Sequence, residues 1–168
     1  VAPWYDRTEK LIGVSGTNPD LEDTPASADG VLQPPPKPRV YELLLKAVTD
    51  KMGIPAVPMR RAVITQDLDD RKACFYATGC GRGCSIGAAF QTTTSLLPWA
   101  QKTGNMKLVT DAMVKEVHVD ENGQASGVTF VNRLTNEDIR VDADRVILAA
   151  SACETARLML NSKSALHA

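Results

Sequence analysis

Apolar positions recur at two different periods along this chain, and the change between them divides it. Residues 3–12 read as a short helix, with Pro3 near its start and Gly13 just past its end, and with Trp4, Leu11 and Ile12 as its expected buried face. From Arg39 to Met52 the apolar residues Val40, Leu43, Leu44, Ala47 and Val48 form a helical stripe that Gly53 and Pro55 terminate. Between these, residues 15–38 are rich in Ser, Thr, Asp, Gly and Pro and predict a surface excursion without helix or central strand. Two short β-like runs follow, Ala56 to Met59 and Ala62 to Thr65. Residues 66–91 form a polar to glycine-rich loop. Thr92, Thr93 and Thr94 then offer an N-cap for a helix through Leu96, Leu97 and Trp99, with Pro98 in its first turns.

Beyond Gly104 and Asn105 the pattern becomes strand-like. Met106 to Thr110, Ala112 to Val119, Gly127 to Val131 and Ile139 to Val141 are the predicted strands, and the turn-forming clusters 120–123 and 134–137 make the last three an antiparallel meander. Arg145 to Ala150 is a continuous apolar run of the kind that parallel strands buried on both faces carry, and Ser151–Ala152 leads from it into a helix from Cys153 to Leu160. Strand, tight turn and helix make half of a nucleotide-binding unit, and small residues at 149–152 let a backbone approach a ligand closely.

Composition narrows the function classes. The 168 residues are 43% hydrophobic and 5% aromatic, which fits one globular domain and excludes low-complexity readings. A net charge of −1 gives no global attraction for a polyanion, and the basic pair Arg60–Arg61 has no interleaved aromatics, so no nucleic-acid partner is expected. No stretch approaches the roughly 18 to 20 apolar residues of a membrane span, and no leader-like segment opens the chain. A soluble chain is expected, unless a segment outside it supplies an anchor; cytoplasm and periplasm both stay open.

Three of the four cysteines are clustered as Cys74, Cys80 and Cys84, with Cys153 alone. The spacing C-x5-C-x3-C supplies three soft thiolates, one short of a closed tetrahedral zinc site, while His118 and His167 are distant in sequence. A tight loop of reduced cysteines, an iron–sulfur cluster and a zinc site are all compatible with it. The loop glycines do not form G-x-G-x-x-G, because Cys84 stands three residues after Gly81, and no Lys-Ser/Thr of a phosphate loop is present. Cys153 opens the last helix, where a helix N-terminus lowers a thiol pKa, but a small buried residue is the plainer reading. No Ser-His-Asp or G-x-S-x-G arrangement is found.

Several segments together resemble the glucose-methanol-choline (GMC) family of flavin-dependent oxidoreductases. Trp4-Tyr5-Asp6-Arg7-Thr8-Glu9 followed by Gly13-Val14-Ser15-Gly16 is similar to a family segment, and Cys80 to Gly87 resembles a bacterial branch with clustered cysteines. Thr93-Thr94, Leu97-Pro98, Ala100 and Gly104 to Leu108 resemble a further pattern, and Val146 to Ser162 resembles the second signature region. There are departures. Ala149-Ala150-Ser151 stands where the signature has Ala-Gly, Thr155-Ala156 where it has Ser/Thr-Pro, Asn161-Ser162 comes one residue early, and Ala77 replaces an additional loop cysteine.

The resemblance implies an α/β fold of which this chain is an α+β fragment. That fragment is part of a Rossmann-like FAD-binding domain, with residues 1–91 a helical and Cys-loop excursion and 92–168 a helix, the meander and the βα unit. It implies FAD, with Val114 against the adenine and Ala149, Ala150 and Ser151 near the phosphates or ribityl chain. The reaction implied is oxidation of a CH–OH group of an alcohol or sugar-like substrate by hydride transfer to the flavin, with oxygen, a quinone or a cytochrome as acceptor. The family's first glycine fingerprint and its catalytic histidine pair have no match here, so no catalytic residue is expected in this stretch. The start at Val1 and the stop after Ala168 fit an internal window of a longer protein, expected to bind flavin weakly and turn nothing over by itself. The competing class is a metal- or iron–sulfur-binding domain built on Cys74, Cys80 and Cys84.

Overall fold

A computed structural model describes residues 1–77 and 79–164. The chain divides into two compact units, Val1–Met106 and Lys107–Ala168.

In the first unit, helix α1 (Ala2–Ile12) carries Pro3 in its first turn and ends at Gly13, whose φ of 76° is the left-handed cap geometry and whose N–H reaches the Glu9 carbonyl. Its apolar stripe is not the buried one: Trp4 is 66% exposed and Leu11 is exposed too. The helix is held by its acidic side instead. Glu9 accepts a hydrogen bond from the Ser27 hydroxyl (2.5 Å) and pairs with Arg60 (3.5 Å), and Asp6 accepts the Ala28 N–H (3.1 Å). Helix α2 (Val40–Met52) begins where Glu42 accepts the Arg39 N–H (2.6 Å) and stops at Gly53. The predicted stripe Val40, Leu43, Leu44, Ala47 and Val48 is exposed, because among the described residues no other helix or strand packs on it.

The excursion 15–38 has neither helix nor strand, yet it is not purely superficial. Ser15 is fully buried and exchanges backbone hydrogen bonds with Arg61 (2.8 and 2.9 Å), while the Gln33 side chain accepts the N–H groups of Thr65 and Gln66. The predicted β-runs at 56–65 are not strands. They supply single bridges, Arg61 to Ser15 and Val63 to Ala89, since Pro55 and Pro58 lack the donor a ladder needs. Around Ile64 gathers the small core, with Cys84, Ala88, Leu68, Ile86 and Cys74. Arg71 closes it: only 4% exposed, its guanidinium donates to the carbonyls of Gly87 (2.9 Å), Ile12 (2.8 Å) and Ala88 (3.0 Å). Helix α3 (Leu96–Lys102) is capped at Ser95, not at the threonines, which form a 3-10 turn; the buried Ser95 hydroxyl donates to the Gln91 carbonyl (2.6 Å).

The second unit is the meander. Strands β1 (Ala112–Val119), β2 (Ala125–Asn132) and β3 (Asp138–Asp142) lie in the order β1-β2-β3, both pairs antiparallel, with Val117 opposite Val128 and Phe130 opposite Ile139. The Asp120 carboxylate accepts the N–H groups of Asn122 and Gln124, and the Asn132 side chain accepts that of Leu134, which pins both turns. Gly127 allows β2 and β3 to meet: a Cβ there would lie 2.3 Å from the Val141 carbonyl oxygen. Helix α4 (Ala152–Asn161) packs on β1 and buries Leu158.

Two predicted strands are absent. Met106 to Thr110 is irregular, and Asp111, at φ 54°, turns the chain before β1 begins. Arg145 to Ala150 is not a strand either, and Ile147 is 89% exposed. A strand buried on both faces needs neighbouring strands. The sheet described is three-stranded and antiparallel, and its order leaves this segment unpaired. The described architecture is therefore α+β. Among the described residues no helix is long and apolar enough to cross a membrane.

Candidate functional site

The four residues matched to a cofactor all lie in the second unit. Val114 is half-buried in β1 opposite Phe130, next to an irregularity: the register passes from Val114 to Glu116 and leaves Lys115 without a partner. Ala149, Ala150 and Ser151 are exposed in the segment that enters α4.

Ser151 occupies the N-cap at φ 75° and ψ 166°, a region that essentially only glycine adopts, and its side chain does not cap the helix. A serine thus stands in a glycine conformation. Its carbonyl accepts the Thr155 N–H (2.9 Å), while the first-turn N–H groups receive no side-chain cap, which leaves an amino end of the kind that accommodates anionic oxygen. Ser151→Gly is expected to stabilise the second unit by about 1 kcal/mol, the strain relieved less the added chain entropy, and thermal unfolding followed by circular dichroism checks it. An unchanged or lower midpoint would mean that the conformation carries no strain.

Two polar ties fix α4 on β1. The Arg157 Nη2 donates to the Val114 carbonyl (3.0 Å) while its Nε bonds Glu154 Oε2 (2.7 Å), and the Val117 N–H donates to the Ser162 hydroxyl (2.8 Å), which in turn donates to the Leu158 carbonyl (2.5 Å). So Val114 and the helix that begins at Ser151 belong to one connected arrangement. Neither Arg157 nor Ser162 is singled out by periodicity, since a polar helical residue reads as solvent-facing.

The cysteine loop is in the first unit. Cys84 is buried and accepts the Ala89 N–H (3.4 Å); Cys74 is half-buried and accepts the Tyr76 N–H (3.3 Å); Cys80 is exposed. The Cys84 thiol is held below its ordinary range mainly by the Ala89 N–H, with the amides of Ile86, Ala88 and Gly87 acting in the same direction and burial opposing them. Among the described residues no group of three His, Cys, Asp or Glu side chains is placed to hold a metal ion. Cys153 is exposed on α4, not buried. His118 is engaged with the Thr129 hydroxyl (2.6 Å) and lies 3.9 Å from Glu116, and His167 falls outside the described residues. A shallow cleft of about 590 Å³ lined by Asp69, Asp70, Trp99 and Lys102 contains none of the candidate residues, and Lys102 is paired with Asp70 across it.

A family model described as GMC oxidoreductase matches residues 31–166. Over 99% of its length the chain is 29% identical to a 2-methyl-1,2-propanediol dehydrogenase of Mycolicibacterium austroafricanum. It is 26% identical over 98% of its length to a 6'''-hydroxyparomomycin C oxidase of Streptomyces lividus, and 27% identical over 97% to a paromamine 6'-oxidase of Streptomyces fradiae. The chain spans about 30% of the length of these relatives.

Proposed function

The chain belongs to the GMC oxidoreductase family, and from that membership we propose that it is part of a flavin-dependent oxidoreductase acting on a CH–OH group of an alcohol or sugar-like substrate. The observation that carries the reading is the family match through residues 31–166, which spans the cysteine loop, the meander and the 149–151 turn. The names of the relatives support it: one is a diol dehydrogenase and two are oxidases named for aminoglycoside compounds. The same proposal places all 168 residues in the FAD-binding part of the protein, with 1–91 as the excursion and 92–168 as helix, meander and βα unit.

FAD fits the residues present. A run of small residues opens on an uncapped helix N-terminus, and Val114 lies in the strand to which that helix is bonded. In this reading Val114 lies along the adenine, and Ala149, Ala150 and Ser151 along the phosphates or ribityl chain; Cys74, Cys80 and Cys84 shape the loop and hold no metal. Bound flavin would accept a hydride from the carbinol carbon. The residues of this chain hold and orient the cofactor, while the base that takes the hydroxyl proton comes from elsewhere in the protein. Relatives named both dehydrogenase and oxidase fit an acceptor that is either oxygen or a redox partner.

The test is purification of the protein expressed with its flanking coding sequence, followed by anaerobic addition of small diols and amino sugars. The expected outcome is a flavin spectrum that one of these substrate classes bleaches. A protein that takes up no flavin on reconstitution, or whose flavin no hydroxyl compound reduces, overturns the reading. The 168 residues alone are expected to bind FAD weakly and to show no turnover.

A further inference from the structure

We propose that Arg157 is a positioning residue for the adenine end of the cofactor, an assignment that rests on the flavin reading above. Its guanidinium spans two directions at once, with Nη2 on the Val114 carbonyl at 3.0 Å and Nε on Glu154 at 2.7 Å one helical turn back. Glu154 fixes the plane of the fork, and the fork fixes the strand. The place it grips adjoins one of the two register shifts in β1. Val114 pairs with Phe130 and Glu116 with Thr129, so Lys115 between them has no partner in β2, and the strand shifts register beside the residue that the flavin reading sets against the adenine.

A second tie, from the Val117 N–H to Ser162, holds the same helix between the two register shifts. Arg157 bonds the backbone of Val114 itself. Arg157 lies six residues along α4 from Ser151, about 9 Å at the helical rise, so one rigid helix sets the spacing between the strand at the adenine and the turn at the phosphates. Lysine would not reproduce this, because a single ammonium lacks the planar fork that serves a carboxylate and a carbonyl together.

The test uses the protein expressed with its flanking sequence, stripped of flavin and titrated with FAD, with ADP as the adenine half and with FMN as the flavin half. Arg157→Ala is expected to weaken FAD and ADP alike by about tenfold, the worth of a charge-assisted hydrogen bond, and to leave FMN unchanged. Ser162→Ala, which loosens the helix at Val117, is expected to leave FAD affinity within about twofold. Should Arg157→Ala not fold, Arg157→Lys carries the same comparison. An Arg157 variant that binds FAD as the wild type does, or one that weakens FAD and FMN equally, overturns the assignment while leaving the flavin reading intact. Wild-type protein that binds neither FAD nor ADP overturns both.

Discussion

Arg71→Met is expected to destabilise the first unit by about 4 kcal/mol, a large share of the stability of a domain this size. Methionine keeps much of the stem volume and removes every donor, so the carbonyls of Ile12, Gly87 and Ala88 lose their guanidinium partner together. The Ala88 carbonyl keeps the Ile64 N–H (3.0 Å), so the cost falls on the carbonyls of Ile12 and Gly87, at roughly 1–3 kcal/mol each, which outweighs the benefit of no longer burying a charge. Burial lowers the Arg71 pKa, while the charges of Cys84 and Asp69 oppose that shift. Urea unfolding read by tryptophan fluorescence reports on this unit alone, since Trp4 and Trp99 both lie in it. The midpoint should fall with the slope unchanged. Arg71→Lys should recover only part of the loss, because one ammonium lacks the fork that reaches the Ile12 carbonyl and those of Gly87 and Ala88 together. A shift below about 1 kcal/mol in Arg71→Met would show that water serves the three carbonyls equally well.

Gly127→Ala should cost the second unit about 3 kcal/mol or more. The added Cβ would sit 2.3 Å from the Val141 carbonyl oxygen and 2.9 Å from the Asp142 Cα, both backbone atoms that no rotamer change can move aside, and φ at 154° adds strain. β3 must therefore shift away from β2. Amide hydrogen exchange is the direct measurement: protection at the β2–β3 ladder should be lost while that of the β1–β2 ladder persists. Equal protection across the sheet in the variant would mean that β3 can accommodate the methyl group.

The meander was legible in the sequence because everything that specifies it is local. Period-two alternation marks the strands, and Asp120 and Asn132 pin the turns with their own side chains. The ends of α1, α2 and α4 were equally readable. Which face of a helix is buried was not, since in α1 that is decided by Glu9 and Asp6 finding Ser27, Arg60 and Ala28, partners far away in sequence. Arg145 to Ala150 shows the converse: its apolar run describes the surroundings that flanking strands would provide, and composition alone does not supply the strands. Val114 and the 149–151 turn were named by resemblance, not by any property of valine or alanine. The conformation of Ser151 and the reach of Arg157 are three-dimensional facts, which one-letter periodicity does not encode.

The two units also differ in how much chain must be drawn together before a contact forms. β1 and β2 are joined across residues 120–124, and β2 and β3 across 133–137, whereas Ser15 and Arg61 are 46 residues apart and Arg71 and Ile12 are 59 apart. Closing a loop costs entropy that rises with its length, and contacts between distant residues slow folding. The sheet therefore assembles while the other unit is still searching. A full-length chain refolding from denaturant would hold a finished meander before the guanidinium of Arg71 has found its three carbonyls, and the leucines of α2 stay open to apolar partners both before and after that event.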